Sequence, residues 1–385
     1  MSDRIRVLAL VETTKVSGPA KNLIQFARLA REGVDGMRVE LEIAVFARPG
    51  DSQDFREAAV TAGVRVHLAP EHARFDRSVI ATLRGLLRER RPDILQSHAV
   101  KSHFLVRYAG LRRAAPWVAF HHGYTWTDIR NRLYNALDYW SLRGADRLVV
   151  VNERFRDDLV RQRIAPARIA VVHNAIEPSW AATAREPAAA AALRSRLGIG
   201  AEQKVILIAA RLSKEKDHAT LLRAVAALRS RHSLSPRLII LGEGPERPRL
   251  EASVRELGLT AQAVFAGWQP SEPYYGIADV AVLSSRTEGS PNAVLEAIGA
   301  GVPLVATATG GITEMVRTGE TALLVPPGDV ARMADAIGGI LASPALAAGL
   351  SARARQVALS RYSPEERARA ICAVYGELIG KSAAT

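Results

Sequence analysis

Short apolar, β-branched runs recur along the chain with helix-forming stretches between them, and this alternation restricts the fold more than any other feature. The first series is Arg4 to Leu10, Val39 to Phe46, Val64 to Leu68, Ile94 to Ser97, Trp117 to His121, Arg147 to Val151 and Ile169 to Val172. A second series follows at Val205 to Ala209, Arg237 to Leu241, Val264 to Ala266, Val280 to Leu283, Leu304 to Thr307 and Ala322 to Val325. Short, nearly continuous apolar strands are those of parallel sheets covered by helices on both faces. The repetition predicts an α/β chain of two doubly wound domains in tandem. At 385 residues, the chain is also longer than one hydrophobic core ordinarily serves. The stretch Glu177 to Ala192, with its two prolines and alanine tract, reads as the connection between the domains. In such sheets ligands bind beyond the carboxyl ends of the strands, where loop amides and helix N-termini are free.

The net charge of +13 is concentrated in the first half, where residues 1 to 175 carry 29 Lys and Arg against 19 Asp and Glu. The remainder carries 23 against 20. A basic field favours an anionic partner. Nucleic acid fits poorly, because aromatic stacking motifs and a recognition element are lacking and the cations are dispersed. No run approaches the roughly 18 apolar residues of a membrane span. Arg4 and Arg6 interrupt too short an apolar run for a signal peptide, so a cytoplasmic chain is expected. Cys372 stands alone in a helical pattern and reads as a packing residue. His98, His103, His121 and His122 lack the spacing of a metal site, so no metal is expected.

The densest group of chemistry-bearing residues runs from Ser284 to Gly311, directly after a strand. Ser290 is expected to cap a helix with Pro291 at its first position, so that Gly289 and Ser290 present amides at a positive helix end. Glu288 lies before that helix, and Glu296, eight positions later, lies inside it, followed by the apolar, small-residue run Ala297 to Pro303. Ionised carboxylates so placed accept from vicinal hydroxyls at two depths, as on a sugar and a ribose. After the first strand of the second series come Arg211 and Lys216, placed to neutralise a diphosphate, with Lys214 and Glu215 between them as solvent charges. Gly242 and Gly244 follow another strand and permit a tight turn with close backbone approach. In the first half, Ser17 and Gly18 precede a helix, and His121, His122 and Gly123 stand at a strand end. Neighbours on a strand point to opposite faces, so one of the two histidines is expected to be structural.

These residues resemble a known family. Glu288-Gly289-Ser290-Pro291-Asn292 to Glu296 resembles the EX7E signature of retaining GT-B glycosyltransferases, glycosyltransferase family 4 in particular. Arg211 and Lys216 resemble its diphosphate-binding pair, Gly242 to Pro245 its G-x-G-P turn, and Gly310-Gly311 with Glu314 its GG-x-x-E element. Gly18 resembles the second glycine of its GG loop, with Ser17 in place of the first, and His122-Gly123 its HG motif. Val172-His173-Asn174-Ala175 resembles its I-P-N-G hinge, with His173 and Ala175 departing from the pattern.

The resemblance implies a GT-B fold, two Rossmann-like domains facing a central cleft. The expected acceptor-side domain is residues 1–176 with a C-terminal helix of about 362–380 packing back on it; the donor domain is residues 177–361. It further implies transfer of a hexosyl group from a nucleotide-sugar donor, UDP- or GDP-linked, without a required metal or other cofactor. In that scheme Glu288, Arg211, Lys216 and His122 carry the chemistry, and Gly18, Gly242, Gly244, Gly289, Ser290, Pro291, Asn292 and Glu296 bind the donor. The acceptor is a saccharide or lipid-linked, and the basic residues Arg84, Arg88, Arg90, Arg91, Arg112 and Arg113 would meet it or an anionic membrane face. An epimerase and a glycogen- or trehalose-type synthase are the alternatives within the fold.

Overall fold

A computed structural model describes residues 4–13, 18–72, 76–123, 129–177, 180 and 186–380, with the side chains of 129–133 excepted. The chain divides into two compact units, residues 1–174 with 364–385, and residues 175–363. The expected boundaries lay two residues away at each junction.

The first unit is a seven-stranded parallel sheet of β1 (Arg4–Val11), β2 (Arg38–Ala47), β3 (Arg65–Pro70), β4 (Ile94–His98), β5 (Trp117–His121), β6 (Arg147–Val150) and β7 (Ile169–Val171). Their order is 3-2-1-4-5-6-7. The second unit holds β8 (Val205–Ala209), β9 (Arg237–Leu241), β10 (Ala263–Gly267), β11 (Val280–Leu283), β12 (Leu304–Thr307) and β13 (Leu323–Val325), in the order 10-9-8-11-12-13. Each sheet is doubly wound, so the order reverses between β1 and β4 and between β8 and β11. Those switch points leave crevices beyond the strand ends.

The strands read as apolar throughout because both faces are buried. In β1, Ile5, Val7, Ala9 and Val11 enter one core, while Leu8 and Leu10 enter the core on the opposite face. In β8, Val205 and Leu207 go one way and Ile206 and Ile208 the other. The C-terminal helix Pro364–Leu378 belongs to the first unit and packs on the helix Gly18–Glu32, where Phe26 and Tyr375 meet edge to face at 5.9 Å. Cys372 is buried in that contact, and burial pushes its thiol up to about 12. Among the described residues no single helix is long and apolar enough to cross a membrane.

Candidate active site

In the second unit the β8–β11 pairing brings two loops together that lie about 70 residues apart in sequence. After β8 the chain makes one tight turn, Lys214–Lys216, and the left-handed Asp217 (φ +45°) turns it into the helix His218–His232. The Lys216 ammonium donates to Glu288 Oε1 at 2.6 Å. The Ser285 hydroxyl donates to the same oxygen at 2.6 Å. Beside this pair Arg286 donates to Asp217 at 2.9 Å, and the Arg286 amide donates to the Glu215 carbonyl at 2.8 Å. Glu288 is buried, with 7% of its side chain exposed, and Lys216 answers its charge. A buried carboxylate needs such an answer. Arg211 follows β8 with its side chain exposed and makes no ion pair among the described residues.

Glycines lock these loops. Gly242 has φ +139°, and a Cβ on it would come within 2.1 Å of the Ala210 carbonyl oxygen. One on Gly244 would come within 2.2 Å of the Leu212 oxygen. The close approach expected of this turn is thus made to the protein's own backbone, where the Leu212 amide donates to Glu243 at 3.0 Å and orients the segment carrying Arg211. Gly310 holds Glu288 in the same manner.

Glu296 lies on the helix Asn292–Gly299, accepting from the Ser271 hydroxyl at 3.1 Å, and the residues after it are buried as expected. The helix start differs from expectation. Pro291 occupies the N-cap in extended backbone, and the Ser290 hydroxyl points to the Met315 sulfur at 3.9 Å rather than capping. Pro291 is itself extended at ψ +122°, which moves the boundary one position along. Gly289 and Asn292 flank it, both partly exposed. Glu215 also departs from the reading as a solvent charge. It is partly buried, and although burial raises its pKa, the Ser213 hydroxyl at 2.6 Å and neighbouring cations hold it down. Ser285 and Ser271 were not singled out in the sequence; the serine pair directly after β11 was the one visible sign of Ser285, and Ser271, before the helix Glu272–Ile277, had none.

In the first unit, β4 and β5 end on histidines. His103 and His121 both turn to the buried Asp138, at 2.7 and 3.5 Å. His122 stands one residue past the strand, where alternation no longer applies, so it borders the same cavity of about 280 Å³ as His121, with Gly123 and His98. Its Nε2 lies 3.2 Å from Nδ1 of His98. The Tyr375 hydroxyl donates to the Gln96 oxygen, and the Gln96 amide donates to Nε2 of His98. That chain assigns the His98 proton to Nδ1 and leaves His122 with its own proton on Nδ1. Burial pushes His122 down to about 3, helped by the buried Arg367, which burial lowers to about 10. Gly18 opens the helix Gly18–Glu32. Ser17 and Tyr124 to Trp126 lie outside the described residues.

The basic stretches sit elsewhere. Arg84, Arg88 and Arg90 occupy the helix that leads into the start of β4, with Arg91 as its C-cap, and Arg112 and Arg113 lie just before β5. Arg84 donates to the Ala109 carbonyl at 2.9 Å, and Arg90 pairs with Glu42 at 3.5 Å. Segments preceding parallel strands lie at the amino edge of the sheet, opposite the edge that carries His122.

His98, His122 and His218 all have pKa values depressed by burial. The unfolded chain protonates each near 6.5 while the native one does not until about 3 for His122 and about 4 for His218. The unfolded state therefore binds more protons below that pH, and stability should fall as pH drops below about 6.5, by up to about 1.4 kcal/mol per pH unit for each. Urea midpoints between pH 7.5 and 5 measure this, and a flat profile would contradict the burial of all three.

Two family models match the chain. One, described as glycosyl transferases group 1, matches residues 190–357; the other, glycosyltransferase family 4, matches residues 26–180. The chain belongs to these glycosyltransferases. A 2-deoxystreptamine glucosyltransferase of Streptomyces kanamyceticus is 30% identical over 258 residues, 66% of each chain. The lipopolysaccharide core biosynthesis glycosyltransferase LpsE of Rhizobium meliloti is 34% identical over 173 residues, 45% of this chain and 49% of LpsE. The match thus spans from about half to just under two thirds of these curated relatives. The fold of this glycosyltransferase is also that of Anabaena HepE solved with UDP, with a TM-score of 0.82 at 19% identity over 97% of this chain and 100% of that one. Sucrose-phosphate synthase from Thermosynechococcus elongatus gives 0.80 at 20% identity, over 98% and 100%. These likenesses make the GT-B architecture read from the sequence the observed one.

Proposed function

We propose that this glycosyltransferase moves a hexosyl group from a nucleoside-diphosphate sugar, UDP- or GDP-linked, to an acceptor hydroxyl with retention of configuration, in the synthesis of a cell-surface polysaccharide, lipopolysaccharide or glycolipid. The observation that carries the reading is the buried Glu288 paired with Lys216 at a switch point, with Glu296 on the following helix. When the glycosidic bond breaks, negative charge grows on the departing diphosphate. Arg211, Lys216 and the start of the helix Asn292–Gly299 stabilise that charge more than they stabilise the bound donor, which is the condition for raising the rate. These fixed charges do the neutralising in this scheme without a metal ion. Glu288 accepts from the hexose hydroxyls, the amides of Gly289 and Ser290 donate to them, and Glu296 takes the ribose. Lys216 holds Glu288 in place until the donor enters and shares the cation. The neutral His122, donating from Nδ1, offers an uncharged hydrogen bond that does not repel a developing oxocarbenium ion. The saccharide or lipid-linked nature of the acceptor rests on relatives such as LpsE and on the basic first half, and peripheral association with an anionic cytoplasmic membrane face remains part of the proposal.

The test is a thermal-shift panel of UDP, GDP, ADP and their hexose conjugates. A ligand at a hundredfold excess over its Kd adds about 2.7 kcal/mol of apparent stability. One nucleotide is expected to stand out, and Lys216→Ala should weaken its binding by about tenfold or more, since a charge-assisted contact to phosphate is lost. Equal shifts with Lys216→Ala and the parent chain would overturn the diphosphate assignment.

A further inference from the structure

A second set of charged groups lies just beneath the Lys216 loop, around a cavity of about 320 Å³ in the second unit. Four cations line it, Lys214, Arg223, Arg249 and Arg286, against the two carboxylates Asp217 and Glu246. Each of the four cations is exposed on the solvent side. On the inner side lies His218, only 2% exposed, with neither ring nitrogen hydrogen-bonded among the described residues. Buried polar groups are otherwise almost always partnered, so an imidazole facing a cavity without one marks a place where something polar belongs. His218 is also the first residue of a helix of 15 residues, and the side chain of its N-cap, Asp217, caps none of the first amides, being engaged by Arg286 and Thr220. A positive helix end, an unpartnered imidazole and an excess of cations converge on one cavity.

We propose that this cavity is a second anion site, one that takes the phosphate group of a small molecule. A neutral imidazole has one N–H and one bare nitrogen, and a phosphate monoester offers both acceptor oxygens and, near neutrality, a P–O–H donor, so both ring nitrogens are met at once. Arg223, Arg249 and Arg286 present the planar guanidinium groups that phosphate binds in pairs of hydrogen bonds. The site is linked to the donor loops through Arg286. Its amide is tied to the Glu215 carbonyl, its guanidinium to Asp217, and it stands two residues before Glu288. A phosphate that draws Arg286 away from Asp217 releases the turn that carries Lys216, so occupancy here tunes the donor side. The site itself does not depend on which donor is used.

The decisive experiment titrates the full chain, labelled with 15N-histidine, with inorganic phosphate and separately with glycerol 3-phosphate, following the His218 ring resonances. Saturable shifts of those resonances are expected, weakened about tenfold by Arg223→Ala and again by Arg249→Ala, and unchanged by Arg211→Ala. Tighter saturation by glycerol 3-phosphate identifies a phosphomonoester as the occupant, and equal saturation identifies free phosphate. The proposal is overturned if neither anion moves the His218 signals, if the two arginine variants bind as the parent does, or if Arg211→Ala abolishes the shift and so returns the anion to the donor side. Both arginines are on the surface, so loss of fold does not cloud the result; His218→Gln serves only to assign the resonances.

Discussion

Replacing Glu288 by glutamine is expected to lower kcat for glycosyl transfer by about 10²- to 10³-fold, the scale seen when one preplaced polar group is removed from a transition-state site. The substitution keeps the shape of the side chain, and an amide oxygen can still accept from the Ser285 hydroxyl at 2.6 Å and from Lys216. What it removes is the negative charge. Lys216, with 22% of its side chain exposed, can recover solvation, so the stability cost should stay within about 1–2 kcal/mol. The fold and the activity are therefore separable in this variant. Because the two groups touch, the Lys216→Ala/Glu288→Gln double variant should be little worse than the poorer single one. Single-turnover assays with circular dichroism as the check on folding decide the matter. A purified Glu288→Gln protein that turns over like the parent would remove Glu288 from the chemistry.

Much of this was legible because a parallel sheet buried on both faces writes itself as apolar runs. Val205 to Ala209, Arg237 to Leu241 and Val280 to Leu283 coincide with β8, β9 and β11 residue for residue. The residues after those runs were expected at the carboxyl edge of the sheet for the same topological reason. Which of them would touch was not. Lys216 meets Glu288 only because β11 lies beside β8 rather than beside its predecessor β10, a fact of strand order that no local pattern carries. The Ser290–Pro291 boundary was misplaced because Pro291, expected as the first helical residue, is itself extended (ψ +122°) and stands as the N-cap. Arginine-rich stretches were legible as charge but not as location. Position depends on whether a segment enters or leaves a strand, and Arg84 to Arg91 and Arg112 to Arg113 enter one. His218 gave no sign at all, since an imidazole in an apolar helical pattern reads as core.

Gly310 provides the second large effect, because it joins backbone conformation to catalysis. Its φ of +53° is left-handed, and a Cβ built on it would stand 1.9 Å from the Glu288 carbonyl oxygen and 3.2 Å from the Glu288 amide nitrogen. Alanine there meets two penalties. The left-handed backbone costs about 1–2 kcal/mol, and displacing a packed main-chain carbonyl costs about 1–3 kcal/mol more. Gly328 separates them, for it has φ +82° with nothing within 4 Å of a built Cβ. Gly328→Ala should therefore show the conformational cost alone and keep full transfer activity. Gly310→Ala should be less stable by the additional amount. It should also lose activity out of proportion to its folded fraction, since the carbonyl a Cβ would displace belongs to the residue whose carboxylate holds Lys216. Denaturant midpoints and transfer rates of the two variants, measured side by side, test both halves. Equal destabilisation with equal activity would mean that the Gly310 contact relaxes without reaching Glu288, and the rigid coupling between this glycine and the carboxylate would have to be given up.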